Sequence, residues 1–377
     1  MTHPFVLLED SRTCCSLVFE APERIFTAHT EAEVATALSG MEDARASGLH
    51  LAGYASFELG YLLESRLACH FRPARTPLLH FGAFAAPRPR EFGRDVAWPT
   101  SIRMLPDWDF KDYARRFGRV IDYITAGDVY QINLTFPLRG RFRGDPIDLY
   151  AALRRIQPVR FGGIIALGDE TVLSLSPELF LEIQGRIIRT RPMKGTAPRG
   201  RTSEEDAQIA RGLAASEKNR AENLMIVDLL RNDLGRLAEI DSVDVSDLFT
   251  IETYPTLHQM TSGVVARVPP GLSLHDLLGG LFPSGSVTGA PKIRAMEIIR
   301  ELEETSRDVY CGSLAHIAPN GDMRFNVAIR TATLYDEGEL LCNVGSGIVI
   351  DSDARAEYDE CLLKATFLTG PTTPTSA

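Results

Sequence analysis

The sequence predicts an α+β protein built on large antiparallel sheets. Three observations carry that prediction. Strand pairs joined by short turns outnumber strand–helix–strand alternations along the chain. The 377 residues are 44% apolar, enough to bury a large core. Neither common nucleotide-binding signature is present. No G-x-G-x-x-G joins a strand to a helix, and GSVTGAPK at 285–292 lacks the Gly-Lys-Ser/Thr ending of a phosphate loop.

The elements follow in order. The Ala-rich stretch 31–47 is a helix candidate. HLAGYASFELGYLL at 50–63 reads as a strand with a small-residue bend. Pro and Arg cluster over 72–90, the composition of a surface loop. Phe110, Tyr113, Phe117, Val120, Ile121 and Ile124 recur at helical spacing, with Asp107 as the cap and Gly127 as the stop. DVYQINLTFPL at 128–138 alternates as a strand does. Strands follow at 163–167, 179–183 and 187–190, with Gln184-Gly185 as a hairpin turn. Residues 203–231 are helical with one break. Strands at 264–268, 310–317, 325–335 and 340–350 and helices at 290–304 and 353–369 complete the pattern. The organisation expected is an N-terminal part of the fold over 1–105, a catalytic domain over 106–370, and a disordered Thr/Pro tail over 371–377.

A net charge of −10 argues against a general nucleic-acid binder, which needs basic patches for phosphates. The six cysteines form no C-x-x-C pair, so neither a zinc ribbon nor a redox pair is expected. No signal peptide is seen and no apolar run nears the roughly 20 residues that span a bilayer. A cytoplasmic protein with no membrane contact is the expectation.

Several polar residues stand out. Glu357 and Glu360 lie three apart on a predicted helix, with Lys364 one turn on. Glu222 sits on a second acidic helix. Carboxylates from two helices could hold Mg²⁺, although glutamates at this spacing also make an ordinary solvated face. Lys194 in RPMKGT falls between a strand and a Gly-Thr turn, where an interior lysine can serve as a nucleophile and an exposed one does nothing. Glu178 in SPE is either a general acid or a turn cap. Arg330 in FNVAIRTATL either points to solvent or clamps a carboxylate. Gly345 and Gly347 either let backbone N–H groups approach an anion or mark a turn or bulge.

Five segments occur in this order: SPELFL, RPMKGT, AENLMIVDLLRNDLG, FPSGSVTGAPKIRAMEII and GSGIVIDSDARAEYDECLLKA. Together they resemble the chorismate-utilising enzymes. The resemblance covers 108–369; before that only GYASFELGY and FVLLED match. It implies two large antiparallel sheets packed face to face with helices outside. Within the family, isochorismate and salicylate synthases carry a water-activating lysine where this chain has Gln131. The anthranilate-forming branch has alanine in the P-I-A-G-T motif where this chain has Lys194. The resemblance is therefore to the branch that aminates chorismate to 4-amino-4-deoxychorismate, on the way to p-aminobenzoate and folate. Anthranilate synthase component I is the alternative. A non-catalytic regulatory subunit is disfavoured, since Glu178, Glu222 and Glu360 are all kept.

The resemblance also assigns roles. Lys194 is the covalent nucleophile and Glu178 the acid, with His258 orienting the leaving hydroxyl or sharing the acid role. Gly195, Thr196, Ser286, Tyr310, Arg330, Gly345, Gly347 and Lys364 bind substrate. Glu222, Glu357 and Glu360 hold Mg²⁺. Relatives usually carry a carboxylate three residues before Glu222; this chain has Asn219, which lightens the acidic shell. No G-x-C-x-G glutaminase nucleophile is present. A glutamine amidotransferase subunit is thus the expected source of ammonia, and an aminodeoxychorismate lyase the expected next enzyme.

Overall fold

The structure, a computed structural model, describes residues 3–10, 15–90, 96, 102–254 and 257–369. The predicted tail over 371–377 lies outside them. Two ten-stranded sheets dominate, and every strand pair in them is antiparallel. One runs from the two-residue strand Gly289–Ala290 through Gln131–Arg141, Glu339–Ile348, Thr331–Leu334, Thr171–Ser176, Phe161–Ala166 and Phe5–Asp10 to Cys15–Glu20 and Arg88–Arg90. The other runs from Met193–Pro198 through Leu257–Arg267, Ile187–Arg191, Leu179–Gln184, Met323–Asn326, Ser313–Ile317 and His50–Ala55 to Leu79–Phe84 and Arg24–Ala28.

The sheets meet face to face. Val6, Phe19, Ile165 and Val172 of the first pack against Ala52, Tyr54, Phe84 and Leu314 of the second, all buried. The opposite face of the first sheet is covered by helices, which is why Gln131–Leu138 is buried at every residue and does not show a wet face. Residues before 105 complete one end of both sheets: Phe5–Asp10 pairs with Phe161–Ala166, and His50–Ala55 with Ser313–Ile317.

Local chemistry sets the helices. Thr30 and Glu33 form a reciprocal capping box at the start of Glu31–Ala46. Phe110–Thr125 buries Tyr113, Phe117 and Val120 as the spacing predicts, but its cap is Asp109. Asp107 instead pairs with Arg139 at 3.0 Å. Ser216 ends the helix Ser203–Ala215 and caps Glu217–Gly235, which is the predicted break.

Other expectations needed correction. Only His50–Ala55 of 50–63 is a strand; Leu59–Leu63 is a short helix. The 72–90 stretch is no surface loop, since Leu79–Phe84 is a fully buried strand. The hairpin after Leu179–Gln184 turns at Gly185-Arg186, because Gln184 itself pairs with Ile187. The single strand expected over 325–335 is two, one in each sheet, and Arg330 stands at the crossing with φ of +50°. Long-range pairing overrides local pattern in each case.

Candidate active site

A cavity of about 570 Å³ opens between the two sheets' ends and two helices. Met193–Pro198 supplies Lys194, Gly195 and Thr196. Glu217–Gly235 supplies Lys218, Asn219 and Glu222. Glu339–Ile348 supplies Gly345 and Gly347, and Ala354–Lys364 supplies Glu357, Glu360 and Lys364. Glu178, Ser286, Tyr310 and Arg330 line it as well. Of the fourteen predicted site residues, His258 alone does not line it.

Glu178 is buried, and its carboxyl accepts one hydrogen bond, from the Ser286 hydroxyl at 2.6 Å. Burial pushes its pKa up to about 7, against the pull of Ser286 and Lys194. Burial also holds the Lys194 amine below the usual lysine range, opposed first by Glu222. An acid protonated near neutrality and an amine that gives up its proton readily are thus brought into one cavity. Burial lowers Arg330 too, and its guanidinium makes no hydrogen bond or ion pair among the described residues. A buried cation without a partner is costly unless an anion arrives.

Gly345 and Gly347 mark neither turn nor bulge. They lie inside a regular strand where there is no room for a side chain. A Cβ on Gly345 would meet Thr135 Cγ2 at 2.6 Å. One on Gly347 would lie 3.1 Å from Gln131 Nε2 and 3.2 Å from Lys194 Nζ. Both amide atoms of Gln131 are buried without a partner. A neutral amide thus stands beside Lys194 across the Gly347 backbone.

The three acidic residues line the cavity as a group. Glu360 pairs with Lys364 at 2.7 Å, and Lys364 also donates to the Gly345 carbonyl at 2.9 Å. Glu357 accepts from Ser352 at 2.8 Å. Glu222 makes no hydrogen bond or ion pair among the described residues. Among those residues, no three carboxylate, histidine or cysteine side chains are grouped so that they could hold a metal by themselves. Carboxylates are the donor type that Mg²⁺ takes, a few at a time with water and substrate oxygen, so a site here would need oxygens from outside the protein. Asn219 donates to its own cap Ser216 at 3.0 Å and packs against Gly195.

Residues 96–370 match the family model described as chorismate binding enzyme. The chain belongs to the chorismate binding enzyme family. It is 44% identical over 278 residues to aminodeoxychorismate synthase component 1 of Klebsiella aerogenes, covering 74% of this chain and 60% of that protein. It is also 40% identical over 269 residues to anthranilate synthase component 1 of Aquifex aeolicus, covering 69% of this chain and 54% of that one. The chain therefore spans about three-fifths of the length of the first of these relatives. Its fold is that of anthranilate synthase component I from Streptococcus pneumoniae, with a TM-score of 0.81 at 24% identity over 98% of this chain and 93% of that one.

One expectation for this member of the family is corrected by the structure. His258 is held between Thr253 Oγ1 at 3.0 Å and Asp206 Oδ1 at 2.9 Å, outside the cavity. Strand alternation is the reason: when His258 faces the helix Ser203–Ala215, its neighbour Gln259 faces the cavity. Gln259 bonds both Gly195 and Thr196. Sequence reasoning missed it, since of His258-Gln259 only the pairing register decides which points inward.

Proposed function

We propose that this chain aminates chorismate with ammonia to give 4-amino-4-deoxychorismate through a covalent adduct on Lys194. The observation that carries the proposal is the meeting of Lys194 and Glu178 at one cavity, with Gln131 buried behind Gly347 on the Lys194 side. An amine held below its usual pKa can attack, and a carboxyl with a pKa near 7 can donate a proton. The neutral Gln131 near Lys194 cannot activate water as a base.

In this scheme the Lys194 nitrogen bonds to ring carbon 2, the double bonds shift around the ring, and the bond from carbon 4 to its hydroxyl breaks. Glu178 gives that hydroxyl its proton, so it leaves as water. Ammonia then bonds to carbon 4, the double bonds shift back, and the bond to Lys194 breaks. The net change is ammonia in and water out, with the enolpyruvyl ether untouched. Arg330 fits one substrate carboxylate in two-pronged fashion. Tyr310 and the backbone around Gly345 and Gly347 offer the remaining polar contacts. Glu222, Glu357 and Glu360 would hold Mg²⁺, which when bound neutralises the second carboxylate of the dianion.

Ammonia would come from a glutamine amidotransferase subunit, and an aminodeoxychorismate lyase would release p-aminobenzoate for folate synthesis. The component 1 naming of the Klebsiella aerogenes relative supports a partner. No helix is long and apolar enough to cross a membrane among the described residues. A cytoplasmic setting is part of the proposal.

The test is product analysis. The chain is incubated with chorismate, Mg²⁺ and ammonium, with and without the lyase, and the product identified by mass spectrometry. An amino group in place of a hydroxyl on the intact carbon skeleton, with p-aminobenzoate formed only when lyase is added, is expected. Anthranilate plus pyruvate would overturn the proposal and assign the other branch.

A further inference from the structure

Lys194 does not sit in a regular ladder. Met193 pairs with Thr261 and Thr196 with Gln259, so the chain advances from 193 to 196 while its partner advances only from 261 to 259. The extra residue makes a bulge at Lys194-Gly195 opposite Met260, and Gly195 accommodates it at φ of +79°. A bulge re-aims the side chains it carries and gives up ladder hydrogen bonds, so its shape must be held by other contacts.

Gln259 supplies them. Its Nε2 donates to the Gly195 carbonyl at 2.8 Å, and its Oε1 accepts from the Thr196 hydroxyl at 2.9 Å. Both halves of one amide are thus spent on the two residues that follow Lys194. On the other side the bulge is backed by Asn219, whose Cγ would stand 2.9 Å from a Cβ on Gly195. The bulge is gripped from two sides.

We infer that Gln259 is a positioning residue, an amide clamp that fixes the bulge and so aims the Lys194 side chain into the cavity. This rests on the proposed function only for what the lysine does once aimed. Gln259→Leu keeps the bulk and removes both bonds. The second variant, Thr196→Val, removes one bond from the exposed partner and keeps the shape.

The experiment is a double-mutant cycle between Gln259→Leu and Lys194→Ala in the full chain, read as chorismate consumption with ammonium. Gln259→Leu should lower kcat by about 10–100-fold, the scale of a misplaced reacting group, with KM for chorismate within about twofold. In the Lys194→Ala background the same substitution should add nothing further. Thr196→Val should lower kcat less, in the same direction. An equal loss in both backgrounds would overturn the clamp, as would a raised KM at unchanged kcat, which marks direct substrate binding. If Gln259→Leu does not fold, Thr196→Val runs through the same cycle and decides it by the same criteria. Product identity keeps the two ideas apart: anthranilate would end the amination proposal, while the cycle would still score the clamp.

Discussion

Two buried glutamates in this molecule have opposite characters. Glu170 lies under the N-terminal end of the sheets, where Tyr54 donates to it at 2.5 Å and His80 bonds it at 3.0 Å. Burial pushes its pKa up, but the bonds to His80 and Tyr54 outweigh burial and hold it below the usual carboxylate range. Glu178, in the cavity, has one donor, and burial wins, lifting it to about 7. Glu178 is the more deeply enclosed and has the fewer donors, so burial and donor number push the two apart in the same direction. The arginines repeat the contrast. Arg307 is buried but bonds Glu303 twice and the carbonyls of Val287 and Asn133, and those contacts keep it charged. Arg330 has no such partner among the described residues and is lowered by burial. Glu170 and Arg307 have their partners in place, whereas Glu178 and Arg330 face the cavity with one partner and none among the described residues, as groups that receive a charged substrate must.

If that division is correct, substitutions in the two regions should fail differently. The largest effect expected is on Lys194. Lys194→Ala should lower chorismate amination by about 10³-fold or more, the scale seen when a nucleophile is removed, with little change in folding. A rate near that of the parent chain would exclude the covalent route. Next come the arginines. Arg330→Gln should raise KM for chorismate about 10–100-fold, from loss of charge-assisted bonds worth about 1.5–3 kcal/mol each. Arg307→Gln should instead cost about 3–5 kcal/mol in a urea titration, because it leaves Glu303 buried and unpaired. A swap of these phenotypes would break the comparison.

How much of this was legible in the sequence follows the same division. The helices were legible through spacing, which is local: the Tyr113–Phe117–Val120 stripe acts within a turn or two, although the cap proved to be Asp109 and not Asp107, and Thr30 and Ser216 went unread as caps. Lys194 and Glu178 were legible only through motif resemblance. Periodicity says nothing of a bulge at Gly195 or a pKa near 7. The N-terminal strand Phe5–Asp10 was invisible because half its partnering is with residues 161–166. Arg330 was read inside one strand since nothing local shows the chain changing sheets there. His258 was assigned through the resemblance and Gln259 was not; strand parity, set by a register no local signal encodes, is what turns Gln259 and not His258 to the cavity.

Smaller effects sharpen the contrast through pH. Glu178 must be protonated to donate, so kcat/KM should fall as pH rises through about 7. Ser286→Ala removes the donor that lowers this pKa, so the falling limb should move to higher pH. A limb that moves down, or stays in place, would exclude Glu178 as the acid.

The smallest expected effect is on stability, and its sign differs between the two glutamates. Glu170 is depressed when folded, so its contribution is present above its unfolded value and lost as pH falls through the folded one. Tyr54→Phe should therefore cost about 1–2 kcal/mol at neutral pH and less in acid. Glu178 is raised from 4.5 to about 7, so the native state binds the proton more tightly and stability declines as pH rises between those values. Glu178→Gln removes that decline. Relative to the parent chain it should gain stability at pH 8 and gain less at pH 5, by urea titration, while losing activity at both. A variant that is equally stabilised at both pH values would show that Glu178 carries no strained charge, and the cavity would lose its distinction from the rest of the core.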